Sequence, residues 1–318
     1  MRLERFGPVC QHGGMRIGAF EFSEPVPQLR EPRLIAALTP WIDAGKVGSL
    51  TMTALESHLD TTEIGHLAEP GKFFDFTRYR PTVHYEDGER YTTIPNVPIH
   101  YGVAADGTDF LLAKILEPHT FAEEYVDSLV EVCKYLGVSQ YCRVGGMYDV
   151  VPHTRPLLVN GSLNGESLEG KHGINRGRRR PYEGPTSIMN VVSDKLSESN
   201  IDNIMLMVRL PHYVQLEEDH AGTSRLLGVL SSLYQFPDDL GDTSRGERQY
   251  TRVTSQVEDN EEVKMLVQRL EEEYDARRAR WSGRSGQSRP PESDSEDSST
   301  PLPPSVEQLL KELGEKES

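Results

Sequence analysis

Arg33-Leu-Ile-Ala-Ala-Leu-Thr-Pro-Trp-Ile-Asp-Ala-Gly-Lys-Val-Gly48 is the stretch whose reading decides the fold. Residues 34–38 form a short, almost wholly apolar run, the pattern of a strand buried on both faces of a sheet. Pro40 ends it, because proline has no amide for the ladder and holds Thr39 extended. A helix is expected to begin near Asp43, whose carboxylate is placed to accept from a free first-turn amide. Ala44, Gly45 and Gly48 keep that turn small, so the helix can lie close to the sheet. In open α/β sheets the crevice at the carboxyl end of such a strand is the usual ligand position, which puts Trp41 and Asp43 at its lip.

Downstream, strands and helices alternate. The first helix runs to about residue 59, with Val47, Leu50, Leu55 and Leu59 on one face. A strand at 63–67 follows, then a hairpin over 82–94 whose turn is the Asp87-Gly88 pair. Strands are expected at 98–103 and 109–115, joined through Asp106-Gly107. A helix over 120–136 carries Tyr125, Leu129 and Val132 inward, with Thr120 and Glu123 as a capping box and Gly137 as its stop. A strand at 140–146 ends in Gly145-Gly146, and a short one covers 157–160. After a polar loop come a helix at 185–196, an apolar strand at 201–210 and a Leu-rich helix at 223–234.

This alternation indicates an α/β core over 33–240 with a mixed, largely parallel sheet. Residues 1–32, interrupted by Pro25, Pro27 and Pro32, read as an arm adding local packing at most. Residues 241–281 read as a charged helical extension, and 282–304, rich in Ser, Pro and acids, as a disordered linker. Residues 305–318 close with a short amphipathic helix carrying Val306, Leu309, Leu310 and Leu313 on one side.

The 318 residues carry a net charge of −16, which argues against a general nucleic-acid binder, since phosphates would be repelled. The cluster Arg176, Arg178, Arg179 and Arg180 lacks interleaved aromatics apart from Tyr182 and reads as an exposed loop or a contact to an acidic subunit. Cys10, Cys133 and Cys142 share no ligand-like spacing, and the last two lie in apolar runs as reduced core residues. No apolar run approaches membrane-spanning length and the N-terminus has no apolar signal core, so the expected setting is the cytoplasm.

Four phrases in order carry a family likeness: Trp41-Ile-Asp-Ala-Gly45, Val151-Pro-His-Thr-Arg-Pro156, Tyr182-Glu-Gly-Pro-Thr186 and Pro211-His-Tyr-Val214. Over roughly residues 34–274 the chain resembles bacterial members of the proteasome assembly chaperone 2 family. The resemblance implies a three-layer α/β sandwich similar to the phosphorylase/hydrolase-like fold, homo-oligomers, and function through protein contacts. It establishes no reaction. Proteasome-binding relatives often end in a hydrophobic residue, tyrosine and any residue. This sequence ends Lys316-Glu317-Ser318, with glutamate in the tyrosine's place, which speaks against that docking mode.

The phrases all follow predicted strands and are expected to converge on one rim. Asp43 there is either a helix cap or a group that orients a ligand. Gly145 and Gly146 either make a tight turn or expose amides to an anion; no phosphate loop or dinucleotide fingerprint accompanies them. His153, Thr154 and Arg155 in a proline-flanked loop suit a carboxylate or phosphate, or else brace the loop through a pair such as Arg155 with Glu183. Glu183 and Thr186 at the next helix start share that ambiguity. His212 and Tyr213 either close the pocket or a subunit contact. No histidine pair has metal-ligand spacing and no nucleophile elbow is present, so neither metal, cofactor nor hydrolase triad is expected. Partner contacts are expected through residues 245–281 or 305–318.

Overall fold

The computed structural model describes residues 14–175 and 183–282. The chain opens with β1 (Met15–Ile17) and β2 (Phe20–Phe22), followed by β3 (Arg33–Thr39) and α1 (Val47–His58). Next come β4 (Thr62–Leu67), the hairpin β5 (Thr82–Glu86) and β6 (Glu89–Thr93), then β7 (Ile99–Val103), β8 (Asp109–Leu116) and α2 (Ala122–Tyr135). The second half holds β9 (Gln140–Asp149), β10 (Val159–Leu163), β11 (Glu166–Ser167), α3 (Ile188–Ser197), β12 (Asp202–Pro211) and α4 (His220–Tyr234). Two helices finish it, α5 (Ser244–Glu258) and α6 (Glu261–Ser282).

The described residues form one mixed sheet in the order β1-β2-β4-β7-β8-β3-β9-β12-β10-β11. Its centre, β8-β3-β9-β12, is parallel and the flanking strands are antiparallel. The apolar run at 34–38 is therefore a central strand, with β8 on one side and β9 on the other. Its alternate residues enter different cores. Leu34, Ala36 and Leu38 pack under α2 and α3, and Ile35 and Ala37 under α1 and α4. The result is a three-layer α/β arrangement in which the carboxyl ends of four parallel strands share one edge.

Several local expectations are corrected. Residues 15–22 are not a loose arm: β2 pairs with β4, and Phe20 and Phe22 are fully buried. Three-residue strands are too short to show a periodic pattern, which hid them. Thr120 does not cap α2; its hydroxyl donates to the Lys72 carbonyl, and Phe121 takes the N-cap position in left-handed geometry. Gly145 and Gly146 are not a turn but lie inside β9, which continues to Asp149. Part of the loop expected after residue 160 is the β10–β11 hairpin.

The stretch 245–281 folds as two helices. Asn260 breaks it and accepts from the amides of Glu262 and Val263 at the start of α6. Val253, Val257, Val263, Val267 and Leu270 pack on Tyr213, Val214 and Leu216. At roughly 1.5–3 kcal/mol per buried side chain, this apolar seam outweighs any ion pair in holding the pair of helices to the core. The 282–304 and 305–318 segments, and the 176–180 arginine cluster, lie outside the described residues.

Candidate functional site

Three of the four phrases meet at the carboxyl edge of β3, β9 and β12. The loop after β3 lies across β9: the Gly146 amide donates to the Ile42 carbonyl at 2.9 Å, and Asp43 bridges to Gly146. A Cβ at Gly145 would stand 2.5 Å from the Ile42 oxygen and one at Gly146 3.1 Å from that of Ala44. These glycines let one backbone rest on another, and the Gly146 amide is engaged by protein rather than turned toward an anion. Trp41 stands exposed at 58%. Asp43 accepts from the Ser49 amide at 3.1 Å and its hydroxyl at 2.6 Å. Burial raises its pKa, opposed by these bonds. The carboxylate therefore serves a free amide in the first turn of α1, from a position ahead of the formal cap.

Gly45 has φ +57 and its carbonyl accepts from the Asp219 amide at 2.8 Å. Asp219 then caps α4 through the Gly222 amide (2.7 Å) and accepts from the Tyr250 hydroxyl (2.8 Å). It is buried, which raises its pKa.

His153 is buried beneath α5. The Tyr213 hydroxyl accepts from the His153 amide at 2.9 Å and lies 2.7 Å from Nδ1. Nε2 is 3.1 Å from the Thr254 hydroxyl, which itself donates to the Tyr250 carbonyl. This chain of bonds suits a neutral ring protonated at Nε2, donating to Thr254 while Nδ1 accepts from Tyr213. Burial lowers the imidazole pKa to about 4. Thr154 donates to Glu271, and Arg155 spans Glu271 (3.0 Å) and Asp275 (2.8 Å), both on α6. The expected brace thus exists, with a different partner: Arg155 pairs with α6, not with Glu183, which is exposed. His212 bonds the Asp149 carbonyl through its amide at 3.1 Å and Nδ1 at 3.2 Å. Arg209 pairs with Asp149 beside it.

The third phrase reaches the same edge on the opposite face of the sheet. Helix α3 begins at Ile188, three residues later than proline at position 185 suggests, with Ser187 at the cap. Its first amide is held by Glu117, just past β8, at 3.0 Å. Thr186 accepts from Asn190, which also accepts from Arg143 on β9. Tyr182 lies outside the described residues.

Among the described residues, no group of three His, Cys, Asp or Glu side chains is arranged to hold a metal. A small cavity of about 20 Å³ between β8, β9 and α2 is lined mainly by apolar side chains, Leu111, Leu129 and Val192 among them. None of the described helices is long and apolar enough to cross a membrane.

A family model, that of the PAC2 family, matches residues 37–258, well over half the chain. The chain belongs to the PAC2 family. Comparison with curated proteins finds no match. Among solved structures, a Corynebacterium glutamicum protein of unknown function is 22% identical, with a TM-score of 0.72, covering 83% of this chain and 99% of that one. A PAC2 family protein from Streptomyces avermitilis is 26% identical, with a TM-score of 0.64 over 74% of this chain and 99% of its own. A Mycobacterium tuberculosis proteasome-assembly chaperone homologue is 23% identical, with the same TM-score and the same coverage.

The PAC2 match ends at Glu258, the last residue of α5, so α6 and its carboxylates Glu271 and Asp275 lie past it. Sequence reasoning missed these partners, and Asp219, Tyr250 and Thr254 with them. Asp219 carried a readable signal, an aspartate ahead of a helix start. Glu271 and Asp275 carried a weaker one, two acids four apart on one helix face.

Proposed function

We propose that this PAC2 family member is a non-catalytic, self-associating protein that acts through protein contacts, in the manner of an assembly chaperone. The observation that carries this reading is the β5–β6 hairpin. It is a separate two-stranded sheet, and Val83 (44%), Tyr85 (73%) and the adjoining Ile94 are exposed. His84 stacks on Tyr91 across it at 4.9 Å, and the two rings are half-buried. An isolated hairpin is marginal in water, and apolar side chains on a projecting element mark a contact surface. A second copy of the chain is the partner proposed for it. The neighbour described as a proteasome-assembly chaperone homologue supports a chaperone-type role. Cys133 and Cys142 are free and buried, in keeping with a reducing cytoplasmic setting.

Light scattering after size exclusion tests this. The wild type is expected at a multiple of the chain mass. Val83→Asp with Tyr85→Asp is expected at the single-chain mass, with the thermal midpoint of the monomer unit preserved because neither side chain packs on the core. A monomeric wild type, or a double variant of unaltered mass, overturns the self-association reading.

A second reading, binding of a small polar ligand, has one specific support. Glu117 Oε2 and Arg143 Nε are buried without a hydrogen-bond partner, at the two side chains that hold the first turn of α3. Burial raises the Glu117 pKa. A ligand that satisfied both atoms would raise the thermal midpoint, since binding at about 100 times Kd adds roughly 2.7 kcal/mol. A thermal-shift series with nucleotides, nucleosides, phosphate and small carboxylates checks it. No shift with any of them at millimolar concentration removes this reading and leaves the first intact.

A further inference from the structure

Several described cations of this acidic chain are paired. Lys46 meets Glu217, Lys72 meets Glu124, Lys114 meets Glu56 and Lys195 meets Asp127. Helix α5 gathers three arginines that are not. Arg245, Arg248 and Arg252 are exposed, and among the described residues none of them has an ion pair within 4.0 Å. Their spacing of three and four puts them in one row over two turns. The nearby acids serve other groups: Asp242 accepts from the Ser244 amide and hydroxyl, and Glu247 from the Thr243 hydroxyl. The Asp242 carboxyl is held below its usual range by its bonds to Ser244, with a smaller contribution from the charge of Arg248. Beside the row lies a shallow open groove of about 530 Å³ lined by Ser244, Glu247, Arg248, Thr251 and Arg252.

We infer that the chain's own acidic stretch, Glu292-Ser-Asp-Ser-Glu-Asp297, docks along this arginine row of α5. The stretch places four carboxylates within six residues, against a row of guanidinium forks suited to bidentate carboxylate recognition. Reach permits it. Val257 and Val263 share one apolar cluster, and adjacent residues His153 and Thr154 bond Thr254 on α5 and Glu271 on α6, so α6 runs back alongside α5. At 1.5 Å per residue, Ser282 stands roughly 18 Å beyond Leu270. Ten extended residues span about 33 Å, so Glu292 can return to the level of Arg248. Residues 283–289 contain Gly283, Gly286, Ser285 and Ser288, a composition that allows such a return. Attachment to the same chain also gives the stretch a high effective concentration at the row, so individually weak exposed ion pairs suffice. An acidic segment of another protein would have to displace it.

The test uses the full chain. A spin label is placed at Ser299→Cys in a Cys10→Ser background, since Cys133 and Cys142 are buried. Amide resonances of residues 245–252 are then followed by NMR. They are expected to lose roughly half their intensity or more, and to regain it in about 0.5 M salt, where the Debye length falls to roughly 4 Å. Arg245→Glu, Arg248→Glu and Arg252→Glu together are expected to abolish the loss. So is replacement of Glu292, Asp294, Glu296 and Asp297 by lysine, which leaves the folded core untouched. Absence of broadening on α5, or broadening that survives both charge reversals, overturns the inference. Broadening seen when labelled and isotope-enriched chains are separate molecules also overturns it, assigning the row to a second copy.

Discussion

Gly45→Val is expected to cost the fold roughly 3–5 kcal/mol, lowering the thermal midpoint by about 10 °C or more. Two effects contribute, and their sizes can be separated. The first is conformational, since Gly45 has φ +57. That region is no bar in itself, because Ile42 and Lys46 in the same loop adopt φ +55 and +51. The second is steric and larger. A Cβ at position 45 would stand 2.6 Å from the Asp219 Cβ, with the Asp219 amide nitrogen at 3.3 Å and Leu210 Cδ1 at 3.4 Å. Asp219 cannot retreat without releasing the Gly222 amide, the Tyr250 hydroxyl and its own bond to the Gly45 carbonyl. Gly88→Ala supplies the control, because Gly88 has φ +83 with nothing within 4 Å of an added Cβ. Denaturant titration should show Gly45→Ala losing about 2 kcal/mol more than Gly88→Ala. Equal losses would show that the contact with Asp219 is easily relieved, and that the loop after β3 is not what seats α4.

That contact marks where the sequence stopped being informative. Residues 34–38 announced a central strand because both faces of β3 are covered, which leaves no polar alternation. Asp87-Gly88 announced its hairpin because a tight two-residue turn is a local event. The rim was legible as a place, since the carboxyl ends of β3, β9 and β12 do lie together. Its chemistry was not. His153 and Arg155 acquire their roles from Tyr213, Thr254, Glu271 and Asp275, between 60 and 120 positions away. No local pattern separates a histidine facing a ligand from one facing a helix that arrives later in the chain. The loop Val151-Pro-His-Thr-Arg-Pro156 looks like a binding loop because it is one, and what it binds is α5 and α6. Gly145 and Gly146 misled for a related reason: a loop crossing from the neighbouring strand β3 demands glycine as firmly as a turn does.

The buried imidazole makes that docking sensitive to acid. The ring of His153 faces Tyr213 after β12, Tyr250 and Thr254 on α5, and the charge of Glu271 on α6. Burial dominates and lowers its pKa from 6.5 to about 4, with Glu271 opposing the shift. A folded-state pKa below the unfolded one means that the unfolded chain binds the proton first. The stability involved is complete above pH 6.5, declines as the pH falls toward 4 and is gone below that. A displacement of this size corresponds to about 3 kcal/mol. His212, half-buried and also lowered, adds to the slope with the same sign. His66 has the opposite sign, being raised by Glu63, and its contribution is lost only as the pH rises. Asp219, raised by burial, becomes easier to keep folded as acid protonates it, which opposes His153 at the low end of the range. Because these terms overlap, the informative quantity is a difference. His153→Gln should be less stable than the wild type at pH 7 by about 1–3 kcal/mol, through lost bonds to Tyr213 and Thr254. It should lack the imidazole's acid response, so the two stability curves converge near pH 4. Hydrogen exchange in α5 should accelerate over the same interval in the wild type, since the ring lies beneath that helix. Parallel curves from pH 7 to 4 would mean that protonation of His153 is accommodated in place, and that acid does not loosen the seat of the helical extension through this residue.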